Sequence, residues 1–143
     1  MTENNLKMLI VLFKTQKNLN KHIKKSLVGS GLPVNEFAVL ESLYNKGDMT
    51  VSELINYVLI PNSSMTYVVS RLVNKEYIKE VNNPKDQRVK ILTLTDLGRA
   101  IFIKTYEKHY QHMRAQFDQL TKDEEATLVE LLKKLGRSLE ESL

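Results

Sequence analysis

Between Ser63 and Thr95 the spacing of apolar residues changes once, from a helical period to a strand-like one, and few small folds accommodate that change. Met65, Val68, Val69, Leu72 and Val73 fall at i, i+3, i+4, i+7 and i+8, the stripe of a helix from about Ser63 to Lys75. Its other face holds Ser63, Ser64, Thr66, Tyr67, Ser70, Arg71 and Asn74, where a solvated helix usually carries Glu and Lys. Two strands are predicted next, Tyr77–Val81 and Val89–Thr95, the second built on Val89, Ile91, Leu92 and Leu94. The turn-rich stretch Asn82-Asn-Pro-Lys-Asp-Gln-Arg88 between them makes the pair a hairpin.

The remainder reads as helix. Residues 5–28 carry Leu6, Leu9, Ile10 and Phe13 on one face, broadened by Met8 and Leu12, so this helix needs cover from more than one side. Gly29-Ser-Gly-Leu-Pro33 ends it. A second helix over about Val34 to Asn45 turns Phe37, Leu40 and Tyr44 inward and stops at Gly47. Thr50-Val-Ser-Glu53 is a capping box opening a short third helix, which Leu59-Ile-Pro-Asn62 breaks. Thr95 caps a long helix on which Ile103, Tyr106, Tyr110, Met113, Phe117 and Leu120 are spaced 3, 4, 3, 4, 3, a seam for packing along the helix length. Thr121-Lys-Asp-Glu124 opens a last helix with Leu128, Leu131, Leu132, Leu135 and Leu139.

Composition excludes several classes. With 143 residues there is room for one domain, and 5 Gly and 3 Pro leave none for long flexible linkers. The absence of Cys removes disulfides, thiolate metal sites and thiol chemistry. The longest apolar run, Met8 to Phe13, is far shorter than the roughly 20 residues a spanning helix needs, so no membrane partner is expected and a cytoplasmic location is. There is no phosphate-binding Gly loop, nucleophile elbow or carboxylate pair at metal spacing, so no enzyme, cofactor or catalytic residue is expected. Net charge is +4, and Asn4 to Asn35 holds six Lys and no acid, while Asp118 to Leu143 holds seven acids and four bases. That asymmetry makes nucleic acid a partner to test.

Helix, helix, short turn, helix with a hydrogen-bonding face, then hairpin is the order of a winged helix-turn-helix. One helix fits a DNA major groove, and hydroxyls, amides and Arg read base edges there. A hairpin tip with Lys85, Arg88 and nearby Lys90 against Asp86 can reach phosphates or the minor groove. The stretches T50-V-S-E-L54, S64-M-T-Y-V-V-S-R-L72 and D86-Q-R-V-K-I-L-T-L-T-D-L-G98 resemble the multiple-antibiotic-resistance-regulator (MarR) family, and the similarity extends over essentially the whole chain. N35-E-F-A-V-L-E-S-L-Y44 and I60-P-N-S-S-M-T-Y-V-V69 are most similar to its quinone- and hydroquinone-responsive branch.

The resemblance implies a mainly α fold with a small β-hairpin wing. Residues 34–98 would form the DNA-binding lobe, and residues 5–30 and 99–143 the dimerisation helices of one domain, 1–143. It implies a homodimeric repressor on a pseudo-palindromic duplex, released by a small aromatic or phenolic ligand. By position, Arg88 would enter the minor groove, Asp86 would orient it or a neighbouring basic group, and Ser63, Ser64, Thr66, Tyr67, Ser70 and Arg71 would lie on the recognition helix with Lys85 at the wing. Tyr44, Tyr106 and Tyr110 are the pocket candidates.

Each signal also has an ordinary reading: a polar surface face, a surface ion pair at a turn, a seam inside the core of one chain. Residues 48–95 hold six bases and five acids, thin for a phosphate binder, which leaves a winged-helix protein-interaction module as the alternative. His109 and His112 stand at a spacing that can hold zinc, but off the seam and without a third ligand in sequence, so a solvated pair with no metal is expected. His22 stands alone among lysines.

Overall fold

A computed structural model describes residues 6–58 and 64–143. Within them the chain runs α1 (Lys7–Ser26), α2 (Val34–Lys46), β1 (Met49–Thr50), α3 (Val51–Tyr57), α4 (Met65–Asn74), β2 (Ile78–Asn83), β3 (Asp86–Leu94), α5 (Asp96–Phe117) and α6 (Lys122–Glu141). The expected helical protein with a hairpin wing is present. Ser63 and the predicted break at Leu59–Asn62 lie outside the described residues.

The ends of the helices follow local chemistry. Gly47, at φ 84°, closes α2 by donating its N–H to the Leu43 carbonyl at 2.9 Å, a left-handed conformation that glycine adopts without penalty. Thr50 caps α3 by accepting the Glu53 N–H at 3.1 Å. The expected capping box there is one-sided, because the Glu53 carboxylate accepts the Thr50 hydroxyl instead of its backbone N–H. Thr121 and Glu124 complete the reciprocal box at α6.

Strand β1 was not foreseen. Its two residues pair with β3, Met49 opposite Leu92 and Thr50 opposite Ile91, making the sheet order β1-β3-β2. A two-residue strand has no period to read. The hairpin loop is also shorter than the sequence suggests: β2 runs through Asn83 and β3 starts at Asp86, so much of the predicted Asn82–Arg88 loop is strand. Asn83 Oδ1 accepts the Lys85 N–H at 3.0 Å and closes the tip locally. Asn82 faces Lys90 and Asn83 faces Asp86, so Gln87, Arg88 and Val89 bulge from the ladder at the wing tip.

The core lies in the lobe that α2, α3, α4 and the sheet enclose. Leu40, Leu54, Leu72 and Leu92 are fully buried at its centre, with Val39, Val68, Val69 and Ile78 around them and Phe102 reaching in from α5. Outside the lobe much apolar surface is uncovered. Every apolar residue from Leu6 to Phe13 is exposed, α6 buries none of its residues, and of the 103–120 seam only Met113 is buried. Among the described residues no helix is long and apolar enough to cross a membrane.

The histidines depart from expectation. His109 and His112 are half-buried rather than solvated, and His22 is not alone. Its Nδ1 lies 3.1 Å from His112 Nε2, and His109 Nδ1 lies 2.8 Å from the Ser26 hydroxyl with its ring against Phe37. Both contacts tie α1 to α5 across more than eighty positions, which no spacing rule anticipates.

Burial, and secondarily the charge of His112, holds the His109 pKa below its ordinary 6.5. As pH falls through 6.5 the unfolded chain takes up this proton first, so stability drops from there down to the folded-state pKa. Burial raises the Glu41 carboxyl above its ordinary 4.5, and its contribution fades as pH rises, the opposite sense. Comparison with His109→Gln isolates the histidine. We expect the His109 imidazole to titrate below 6.5 by NMR, and the acid-side loss of unfolding free energy to be shallower in the variant. A midpoint at or above 6.5 would contradict the assignment.

Candidate nucleic-acid interface

Helix α4 buries Val68, Val69 and Leu72 and turns Ser64, Thr66, Tyr67, Ser70 and Arg71 outward. The division follows from the stripe itself, since residues three and four apart share a face. Ser64 occupies the N-cap position, yet its hydroxyl makes no capping bond. Tyr67 is 60% exposed.

At the wing tip the bulge carries Arg88 clear of the sheet, with its side chain 92% exposed. Asp86 Oδ1 accepts both the Arg88 backbone N–H at 3.1 Å and its Nε–H at 3.2 Å, so one carboxylate oxygen orients the guanidinium. Lys85 is exposed at the turn, and Lys90 donates to Asn82 Oδ1 at 2.5 Å. So exposed an ion pair adds little stability; what it supplies is direction.

A residue that the sequence reading passed over organises α4 from behind. Glu36 on α2 is 1% exposed and accepts Arg71 Nε–H at 3.1 Å and Lys75 Nζ at 2.5 Å. Arg71 also donates to the Tyr67 hydroxyl at 3.3 Å and lies 5.7 Å from the centre of that ring. These bonds, to Glu36 first and Tyr67 second, hold the Arg71 pKa above its already high value. Arg71 is thus a tethered side chain. The available signal was Glu36 itself, three, four and seven positions before the inward Val39, Leu40 and Leu43.

The three tyrosines meet in one place. Tyr44, Tyr106 and Tyr110 line a cleft of about 470 Å³ between α2 and α5, with Asn45, Phe102, Ile103 and Glu107. Tyr44, predicted to point inward, is 39% exposed on its wall. Ring centres stand 4.8 Å apart for Tyr44 and Phe102, 5.6 Å for Phe102 and Tyr106, and 6.1 Å for Tyr106 and Tyr110. Arg99, also unforeseen, lies 5.3 Å from the centre of the Tyr44 ring.

A short helix leading to a helix with an exposed hydrogen-bonding face, flanked by a hairpin with an oriented arginine at its tip, defines a winged helix-turn-helix of the DNA-binding class. The MarR family model matches residues 32–90. The HTH-type transcriptional regulator MhqR of Bacillus subtilis (strain 168) is 34% identical over 136 residues, which cover 95% of this chain and 94% of that protein. The chain belongs to the MarR family of transcription regulators. A MarR-like transcription regulator from Bacillus cereus ATCC 10987 has the same fold, with TM-score 0.85 and 25% identity over 96% of this chain and 99% of that one. A mutant MarR of E. coli, solved in complex with operator DNA, is 28% identical with TM-score 0.77 over 92% of this chain and 94% of that one.

Proposed function

We infer that the protein is a homodimeric repressor that binds a pseudo-palindromic duplex and is released by a small aromatic or phenolic ligand. The observation that carries the reading is the pairing of the outward Thr66–Arg71 face of α4 with the Asp86-oriented Arg88 at the wing. The operator complex of the 28% identical E. coli relative supports it. Residues 34–98 serve as the DNA-binding lobe and residues 5–30 and 99–143 as the dimer region. Support for the second part is the uncovered apolar surface of α1, the α5 seam and α6.

In this reading α4 enters the major groove with Ser64, Thr66, Tyr67 and Ser70 available to base edges, and the family resemblance assigns Ser63 the same role. Arg88 reaches the adjacent minor groove and Lys85 a phosphate. Two such lobes meet successive major grooves when about 34 Å apart. The cleft suits a flat ring, since Tyr44, Phe102, Tyr106 and Tyr110 line it beside the Asn45 carboxamide and the Glu107 carboxylate. Helix α2 forms one wall of the cleft and also packs on α4, so an occupant that shifts α2 against α5 alters the separation of the reading heads.

Selection of duplexes from a random pool, with binding of the winner followed against salt, tests the reading. An inverted repeat with half-sites about one turn apart is expected. No enrichment would favour the protein-interaction module. Two substitutions divide the contacts. Arg88→Ala is expected to weaken selected and random duplexes alike and to flatten the salt dependence; unchanged affinity would remove the wing from the interface. Thr66→Ala is expected to cost on the order of 1–3 kcal/mol on the selected duplex and little on random DNA.

A further inference from the structure

We propose that Glu36 is a positioning residue for sequence reading: buried beneath the recognition helix, it aims Tyr67 through Arg71 and so sets the selectivity of DNA binding. The inference rests on the DNA-binding reading above. A carboxylate with 2% of its side chain exposed is retained only where partners satisfy it, and here both are cations, Arg71 on the last turn of α4 and Lys75 at its C-cap. Arg71 Nε meets Glu36 Oε2 and Lys75 Nζ meets Oε1, so the two oxygens hold the last turn of α4 and its C-cap. Lys75 Nζ also lies 3.4 Å from the Gly31 carbonyl, which anchors the same point to the segment before α2.

The consequence lies on the outer face. With Nε committed to Glu36, the guanidinium plane is fixed, and its Nη1 is directed at the Tyr67 hydroxyl. Tyr67 would otherwise have two free torsions on an exposed helix face. Held by Arg71, it presents its ring and hydroxyl in one direction before any duplex arrives, which lowers the ordering cost of binding. Glu36 therefore acts on the interface without touching it. Lysine at position 71 can keep a charge near Glu36, but it lacks the planar fork that serves two partners at fixed angles.

The test uses the full-length protein, the duplex selected above and a random duplex. In Glu36→Gln the ratio of selected to random affinity is expected to fall about tenfold or more, with random-duplex affinity within about twofold of the parent, and in Arg71→Lys the same ratio is expected to fall. Tyr67→Phe supplies the readout that a merely structural role would not move. It should cost severalfold on the selected duplex in the parent and almost nothing in the Arg71→Lys background, because the hydroxyl is no longer aimed there. Arg71→Lys, at an exposed side chain, decides the matter where Glu36→Gln does not fold. Additive costs, unchanged selectivity, or equal loss on both duplexes would each overturn the proposal. No enrichment by the parent would end the DNA-binding reading as well, whereas enrichment with additive costs would end this one alone.

Discussion

Gly98→Ala is expected to destabilise the protein by about 3 kcal/mol or more, a large part of the 5–15 kcal/mol typical of a folded domain. Helix propensity alone predicts the opposite sign, since Gly98 lies in the first turn of α5 and Ala is the better helix former by about 1 kcal/mol. The packing overrides it. A Cβ at position 98 would sit 1.9 Å from the Tyr77 carbonyl oxygen and 2.7 Å from its carbon, and that is backbone with nowhere to go. The turn after α4 is held there by several bonds: Tyr77 N–H to the Leu72 carbonyl at 3.0 Å, Thr95 N–H to the Tyr77 carbonyl at 3.1 Å, and the Thr95 hydroxyl to the Glu76 carbonyl at 2.6 Å. Thr95 Oγ1 also accepts the Gly98 N–H at 2.9 Å, which fixes α5 against the same turn. Thermal unfolding should show a midpoint lower by about 10 °C. A midpoint equal to or above the parent's would mean that the approach of α5 to Tyr77 relaxes freely.

Phe117→Glu should convert the dimer inferred above into single chains. Phe117 is 41% exposed in the isolated chain, and the Arg114 guanidinium lies 5.7 Å from its ring centre, so a glutamate there meets solvent and a cation within one chain. In the inferred dimer it would meet the apolar surface offered by Ile103, Tyr106, Tyr110 and Leu120, α1 and α6, all exposed in the single chain, where an unpaired charge is strongly disfavoured. Sedimentation is expected to report the mass of one 16.5 kDa chain rather than twice that. Binding to the selected duplex should fall by about a hundredfold or more as the second reading head is lost. A dimer that survives both Phe117→Glu and Phe13→Glu would place the interface elsewhere.

Much of the interface was legible because it is local. The stripe Met65–Val73 determines which face of α4 points outward, and Asp86 and Arg88 sit two positions apart, close enough for one carboxylate to orient one guanidinium. The tyrosine cleft was legible in part. Tyr106 and Tyr110 share a face by spacing, whereas Tyr44 joins them only because α2 packs on α5. Ser70 and Arg71 both point outward, but periodicity does not show that Arg71 is bound to Glu36 and Tyr67.

By itself, then, the sequence determined the order of the elements, the polar face of α4, the wing and its arginine, and the excess of apolar surface on the terminal helices. All of these are written in periods of two to seven residues, the range over which a backbone of known geometry dictates which side chains share a face. Tertiary structure alone decided the rest. Glu36 finds Arg71 thirty-five positions away, and His22 finds His112 ninety positions away. Strand β1 exists only because β3 has an edge to offer it. The bulge that frees Arg88 arises from a register between two strands, and the need for glycine at position 98 from the close approach of a carbonyl on another element. Such features depend on how whole elements settle against one another within tenths of an ångström. That settling is a property of the close-packed assembly, and no short window of residues encodes it.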